Sequence, residues 1–526
     1  MSLRSIPRFV RTVAHLKPGQ VINRVQRRFT RLQQSDVSAV CRAEACGEWQ
    51  PALARPQSIL PGGRFTFLNE TRAVTSANDW NDAATSKLWL YNLHYHDGLL
   101  APDGDDVDKH AFLQRWISEN PTFEGNAWEP YPTSLRIVNW VKWAMAGGAW
   151  SPAMDSHLAQ QCAALYQQVE YHLLGNHLFA NAKALIFGGL FLGGPQTEQW
   201  LDKGEKILRG ELSEQFLGDG AHFELSTSYQ ATLTEDLLDL VNIMRAFGRA
   251  VPIPLLTHAE RAIFWLEVMT RPDGLPPLFN DAAYGISPSL ASLQDYARRL
   301  AVPLAAAPEA GLVDLPASGY FRYTGDTYGF WGDAGQIGPD YIPGHAHCDM
   351  LGFELYAHGA PLVVDTGTST YDIGERRQLE RSTQSHNTVQ LGDCEQSEIW
   401  AGFRVGRRAR ITAREVGPDW LKASHNGFGS LHERRFTFSP GSITLEDSVR
   451  GSTPAAPAVA RFHLHPDIQP ELSGNMVEAG MASFRFTHAR KVALSPYEYA
   501  PEFNRRLPAL CIDVHFDTHL ITEIQL

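Results

Sequence analysis

The stretch YIPGHAHCDMLGFEL sets His345, His347 and Asp349 at alternate positions just ahead of an apolar run. Alternation at period two puts all three side chains on one face of an extended chain. Two imidazoles and a carboxylate side by side raise the question of which chemistry needs them and which other residues answer to them. Cys348 is out of phase, so it faces the other way and reads as a small buried hydrophobe.

Other segments carry polar groups in apolar surroundings. In EYHLLGNHLFANAKAL, Asn176 and His177 follow Gly175 where one helical pattern stops and the next begins. Amides there also serve as helix caps, the better reading for Asn181. In DGAHFELSTSYQ, Glu224 and Tyr229 flank Ser226 and Thr227, either of which suits an N-cap. Tyr229 is then a core aromatic or a phenol facing a cleft. The segment NAWEPYPTSLRIVNW holds Trp128, Tyr131, Arg136 and Trp140, and WLYNLHYHDGLL holds Tyr91, Asn92, His94 and His96. Aromatic rings suit sugar faces, and a guanidinium takes a carboxylate through two hydrogen bonds.

These residues must be positioned by a chain of 526 residues, long enough for two domains. From about residue 80 to 300 the period is helical, as in Leu158, Cys162, Leu165, Val169 and Leu173, with Gly175 as a stop. Leu237, Leu238, Val241, Met244 and Phe247 repeat it, closed by Gly248. Short connectors imply helical hairpins stacked in an array or ring. After the Ala/Pro-rich linker AVPLAAAPEAGLVDLPASGYF the texture becomes short strands and turns, which reads as a β-sandwich. The expected organisation is a basic lead-in at 1–75, a helical domain at 76–305 and a β-sandwich domain at 306–526.

A net charge of -12 argues against nucleic acid as a partner and requires a local basic pocket for any acidic substrate. Six scattered cysteines without a CxxC pair make no disulfide framework. The N-terminus carries eight Arg or Lys before its first acid, Asp36, and sets Ile6, Phe9, Val10, Val13 and Leu16 on one helical face. It has no cleavable signal pattern, and no apolar run reaches the about 20 residues of a membrane helix. A basic amphipathic helix of this kind suits either the surface of an anionic membrane or docking on its own domain.

Taken together, YNLHYHDGL, EPYPTSLRIVNW, GNHLFANAKAL, DGAHFELSTSYQ, RPDGLPPLFNDA and HAHCDMLGFEL…VVDTGTSTY…SHNTV resemble the heparinase II/III-like polysaccharide lyases, in order from about residue 90 to 400. The resemblance implies an incomplete α/α toroid followed by an antiparallel β-sandwich, and β-elimination at a uronic acid of an acidic polysaccharide. That reaction neutralises the C5 carboxylate, removes the C5 proton and protonates the departing O4. Carried over by motif, Asn176 is the carboxylate-neutralising amide, Tyr229 the catalytic tyrosine, His345 the histidine from the β-domain and His177 an additional histidine. Tyr229 is expected to serve as acid and also as base, with His345 lowering its pKa or standing in as the alternative base. Arg136 is the expected carboxylate partner, and Tyr131, Trp128, His94, Glu224 and Arg404 complete the substrate-contacting set. The resemblance also implies a structural Zn2+ on His347, Asp365 and His386, against the alternative of a hydrogen-bonded network without metal.

For sugars whose C5 proton and O4 lie on opposite ring faces, His345 is the natural group across the ring from Tyr229. The absence of a secretion signal points to a cytoplasmic location or the periphery of the inner membrane, with the periplasm as the alternative. It favours turnover or assembly of the cell's own polysaccharide. Two rival readings remain: a glycoside hydrolase using Glu224 and Asp281, and a non-catalytic glycan-binding or assembly protein.

Overall fold

The computed structural model describes residues 6–120, 123–451 and 457–526; Arg4, part of the basic N-terminal pattern, lies outside them. Two short helices, Ile6–Val13 and Pro18–Arg27, lead in, followed by a three-stranded sheet between Ile59 and Ala73. Helices then follow one another from Lys87–Tyr95 to Leu290–Arg299. Their apolar faces, with Trp89, Trp116, Trp140, Phe187 and Trp265, form one continuous core. Helix Gly175–Phe191 packs closely on Thr197–Gln215 because position 204 is glycine: a Cβ there would come within 2.9 Å of the Ala182 carbonyl.

Gly175 does not end the preceding helix, which is Pro152–Gln167 and stops two turns earlier. It opens the next one, left-handed at φ +59, where any side chain would strike Glu224. Asn181 is not a helix cap either. It lies fully buried within Gly175–Phe191, donating to Ser134 and Glu170 and accepting from the Glu170 N–H at 2.8 Å. The other two readings hold: Ser226 caps Thr227–Ala246 by accepting from the Tyr229 N–H, and Gly248 follows that helix at φ +65.

Residues 301–310 have no regular structure. Beyond them lie a five-stranded sheet (Gly311–Val363), a four-stranded sheet and an eight-stranded sheet, with every ladder antiparallel. Phe321, Phe330, Phe353, Phe436, Phe462 and Phe484 join them in a second core. The fold is a helical toroid followed by a β-sheet domain. Among the described residues no helix is long and apolar enough to cross a membrane, and all six cysteines are free thiols.

Candidate active site

Three chain segments from the helical domain and one from the β-domain meet at the floor of a cavity of about 1700 Å³. The first carries Asn176 and His177 at the start of Gly175–Phe191, and the second carries Tyr229 in the first turn of Thr227–Ala246. The third is the loop Leu278–Tyr284, and the fourth is Tyr341–Gly352. The residue just ahead of each toroid motif is left-handed: Leu174 at φ +68, Leu225 at +57 and Asn280 at +58. Such positions carry strain and aim the following side chains.

The loop holding His345 and His347 forms no ladder, since the strand begins only at Phe353. The alternation nevertheless works as read, because one short segment receives all three side chains. His345 Nδ1 lies 2.8 Å from Asp281 Oδ2, His347 Nε2 lies 2.8 Å from Asp281 Oδ1, and Asp349 accepts from the Asn280 N–H. Cys348 turns away toward the Ser397 carbonyl.

Asp281 is fully buried and also ion-paired with Arg377, whose Nη2 is 2.6 Å from Oδ2. Burial alone would raise its pKa; Arg377 and the two imidazoles hold it well below the usual carboxylate range. A permanent anion thus fixes the Nδ1 side of His345. On the other side His345 Nε2 is 3.4 Å from Glu224, whose carboxylate accepts from both the backbone N–H and the amide of Asn176.

Tyr229 lines the cavity with its ring 4.1 Å from that of His345, tilted by 35°. Burial pushes its phenol well above the usual pKa, and the neighbouring Tyr371 adds to the shift. The phenol is therefore protonated at neutral pH, the reverse of the expectation that His345 lowers it. No sugar ring fits between two rings in contact, so the expectation of His345 and Tyr229 on opposite faces of the substrate is also corrected. His177 stacks on Tyr131 at 4.3 Å, with Nδ1 3.2 Å from Glu170. Burial opposes its charge, but Glu170 raises the pKa overall.

Of the expected substrate-contacting residues, Tyr131 and Arg404 line the cavity. Arg136 does not. It is fully buried, donating to Gln161 at 2.8 Å and the His94 carbonyl at 3.2 Å, with its guanidinium 4.1 Å from the centre of the Trp116 ring. Trp128 and His94 belong to the same core, Trp128 facing Trp116 and His94 accepting from the Trp116 indole. Glu224 lies behind Asn176 and orients it. Arg377 and Tyr371 are the site residues that sequence reasoning left without a role, and it gave Asp281 a place only as a carboxylate of the hydrolase reading, not as the anchor of His345. Their signal was weak: Asp281 follows the turn residue Asn280, while Arg377 sits in an arginine-rich stretch that reads as surface.

His386 Nδ1 is 2.7 Å from Asp365, and its ring lies 5.3 Å from that of His347. His347 Nδ1 and His386 Nε2 are both buried without a hydrogen-bond partner. In donor type the three residues suit zinc. As they stand, no group of three or more His, Cys, Asp or Glu among the described residues is arranged to hold a metal.

Two family models match the chain: the heparinase II/III N-terminus over residues 110–300 and the heparinase II/III-like C-terminal domain over 307–525. The chain belongs to the heparinase II/III-like family. A relative, the FtsZ-localized protein C of Caulobacter vibrioides, is 26% identical over 464 residues, covering 80% of this chain and 77% of its own. A heparin-sulfate lyase of Bacteroides thetaiotaomicron is 26% identical over 122 residues, 21% of this chain and 17% of its own. The crystal structure of heparinase III superposes with a TM-score of 0.68 at 18% identity, over 89% of this chain and 80% of that one. The family assignment makes the protein a polysaccharide lyase.

Proposed function

We propose that the protein cleaves a uronic-acid-containing polysaccharide by β-elimination, with Tyr229 as proton donor and His345 as base. The observation that carries this is the contact of a protonated phenol with an imidazole whose far nitrogen is fixed by a buried anion. Asn176, held by Glu224, offers its amide to the C5 carboxylate. His345, oriented by Asp281, takes the C5 proton, and Tyr229 gives its own to the departing O4. His177, beside Tyr131, lies on the same cavity, where Glu170 favours its charged form.

Because acid and base stand side by side, they reach one ring face only. Glucuronate and mannuronate, whose C5 proton and O4 share a face, are the fitting units; galacturonate, guluronate and iduronate are not. Incubation with acidic polymers of both kinds is expected to release products with the ultraviolet absorbance of a C4=C5 unsaturated uronate from the first kind only. Comparable release from both would overturn the one-sided arrangement. Reducing ends without the chromophore would indicate hydrolysis. The hydrolase reading has little support, because Glu224 and Asp281 both converge on His345 and neither faces the other across open space.

A second reading, glycan binding or assembly without turnover, has one observation in its favour. The relative matched over most of both chains is named for FtsZ localisation and not for lyase chemistry. Tight binding across such a panel with no cleavage of any member would favour it. That name and the basic N-terminal helices support action on the cell's own polysaccharide, from the cytoplasm or the periphery of the inner membrane.

We also propose that His347, Asp365 and His386 hold a structural zinc ion, supported by the two unpartnered imidazole nitrogens. Bound there, the ion would brace the strands behind His345. Metal analysis is expected to find zinc, and chelation to lower the melting temperature, since a bound metal stabilises only the folded state. His347→Ala should lower it more than Asn176→Ala does. Metal-free protein with a melting temperature indifferent to chelator would remove the assignment.

A further inference from the structure

The two N-terminal helices lie outside both family matches, yet they form a wall of the cavity. They are pinned to both domains. Arg8 and Arg11 pair with Glu398, and the Trp400 indole donates to Thr12, all on the β-domain side. On the toroid side Lys17 pairs with Glu214, Gln20 donates to the Leu173 carbonyl, and Arg27 meets His172. In the second helix Val21, Arg24 and Val25, and at its C-terminal cap Arg28, follow helical spacing and turn toward the cavity. Ile22 and Phe29 point elsewhere and are exposed.

The charge inventory of the cavity singles out two of these residues. Arg55, Lys142 and Lys183 are committed to Glu235, Asp236 and Asp239. Lys87 pairs with Glu129 and Arg408 with Asp340. Among the described residues, the arginines and lysines lining the cavity without an ion pair are Arg24, Arg28 and Arg404. Arg136, the cation that the sequence offered for this purpose, is buried in the core.

We propose that Arg24 and Arg28, on the N-terminal helix, bind the acidic groups of the polysaccharide beside the reacting uronate, with Arg404 on the β-domain completing the subsite. The helix pair is thereby part of the substrate site and supplies two of the three unpaired guanidinium groups on the cavity among the described residues. Guanidinium groups suit carboxylate or sulfate through paired hydrogen bonds. The inference rests on the reading of the cavity as a polysaccharide site, but not on turnover.

The test is a binding measurement in the full-length Tyr229→Phe background, using the tightest binder from a panel of glucuronate and mannuronate polymers and its carboxyl-reduced neutral form. Arg24→Ala with Arg28→Ala is expected to weaken the acidic polymer about tenfold, the effect of two screened charge pairs. Its salt dependence should become shallower, and the neutral polymer should be unaffected. Arg24→Lys with Arg28→Lys should recover part of the loss. Both residues are exposed, so folding should be unchanged. Unchanged glycan binding, with lost sedimentation on vesicles containing anionic phospholipid, would assign the arginines to a lipid surface and overturn the proposal. Failure of the unsubstituted background to bind any acidic polymer would overturn it too. Arginine-dependent binding without cleavage by the wild type would keep it and remove the lyase reading instead.

Discussion

Tyr229→Phe is expected to lower turnover by about a thousandfold, within the range for losing a positioned acid or base, while polymer affinity stays within about threefold of wild type. The substitution removes one oxygen and leaves the ring that packs 4.1 Å from His345. Because burial raises the phenol pKa, Tyr229 remains a proton donor throughout the neutral range and contributes no alkaline limb there. The loss should therefore be similar from pH 6 to pH 8. Steady-state rates together with direct binding would separate the chemical step from affinity. A variant keeping more than about a tenth of the wild-type rate, under ~1.4 kcal/mol of barrier, would take Tyr229 out of the mechanism.

Much of this site was legible because its signals are local. Ser226 and Gly248 bound their helix as caps do, and the period-two spacing of His345, His347 and Asp349 survives even though the segment is a loop, since all three serve one short stretch at Asn280–Asp281. What could not be read depends on which side of a buried element faces a cavity. Helix Pro130–Met145 is buried along nearly its whole length, and so is Trp128 in the turn just ahead of it, so Trp128, Tyr131 and Arg136 look alike as a sugar platform or as core. Only Tyr131 reaches the cavity. Arg136 instead stays in the core through neutral partners and the face of Trp116. Pairings across long separations leave no pattern either: Asp281 and Arg377 are 96 positions apart. The contact of Arg8 and Arg11 with Glu398 spans most of the chain. The sequence supplied the motifs and their order, while their convergence depends on the way the two domains dock.

That docking gives the second large effect. Asp281→Asn should destabilise the protein by about 3–5 kcal/mol, because it leaves the Arg377 guanidinium buried without its counter-charge. Both side chains are fully buried, and among the described residues the further hydrogen-bond acceptor of Arg377 is the Gly402 carbonyl. Asparagine keeps the shape of aspartate but offers one acceptor oxygen where Arg377, His345 and His347 now use two. The loss is thus electrostatic and not a cavity effect. Arg377→Met alone should also destabilise, by leaving Asp281 with two imidazoles and no cation. The double variant should be less damaged than the sum of the singles, since neither charge is then stranded. Chemical denaturation of the four proteins would measure that coupling. Activity should fall in each, because an unanchored Asp281 no longer fixes the Nδ1 side of His345. A single-variant loss below about 1 kcal/mol, the level of an exposed pair, would show that water reaches the pair. The buried anion could not then orient His345, and the base would have to be sought elsewhere.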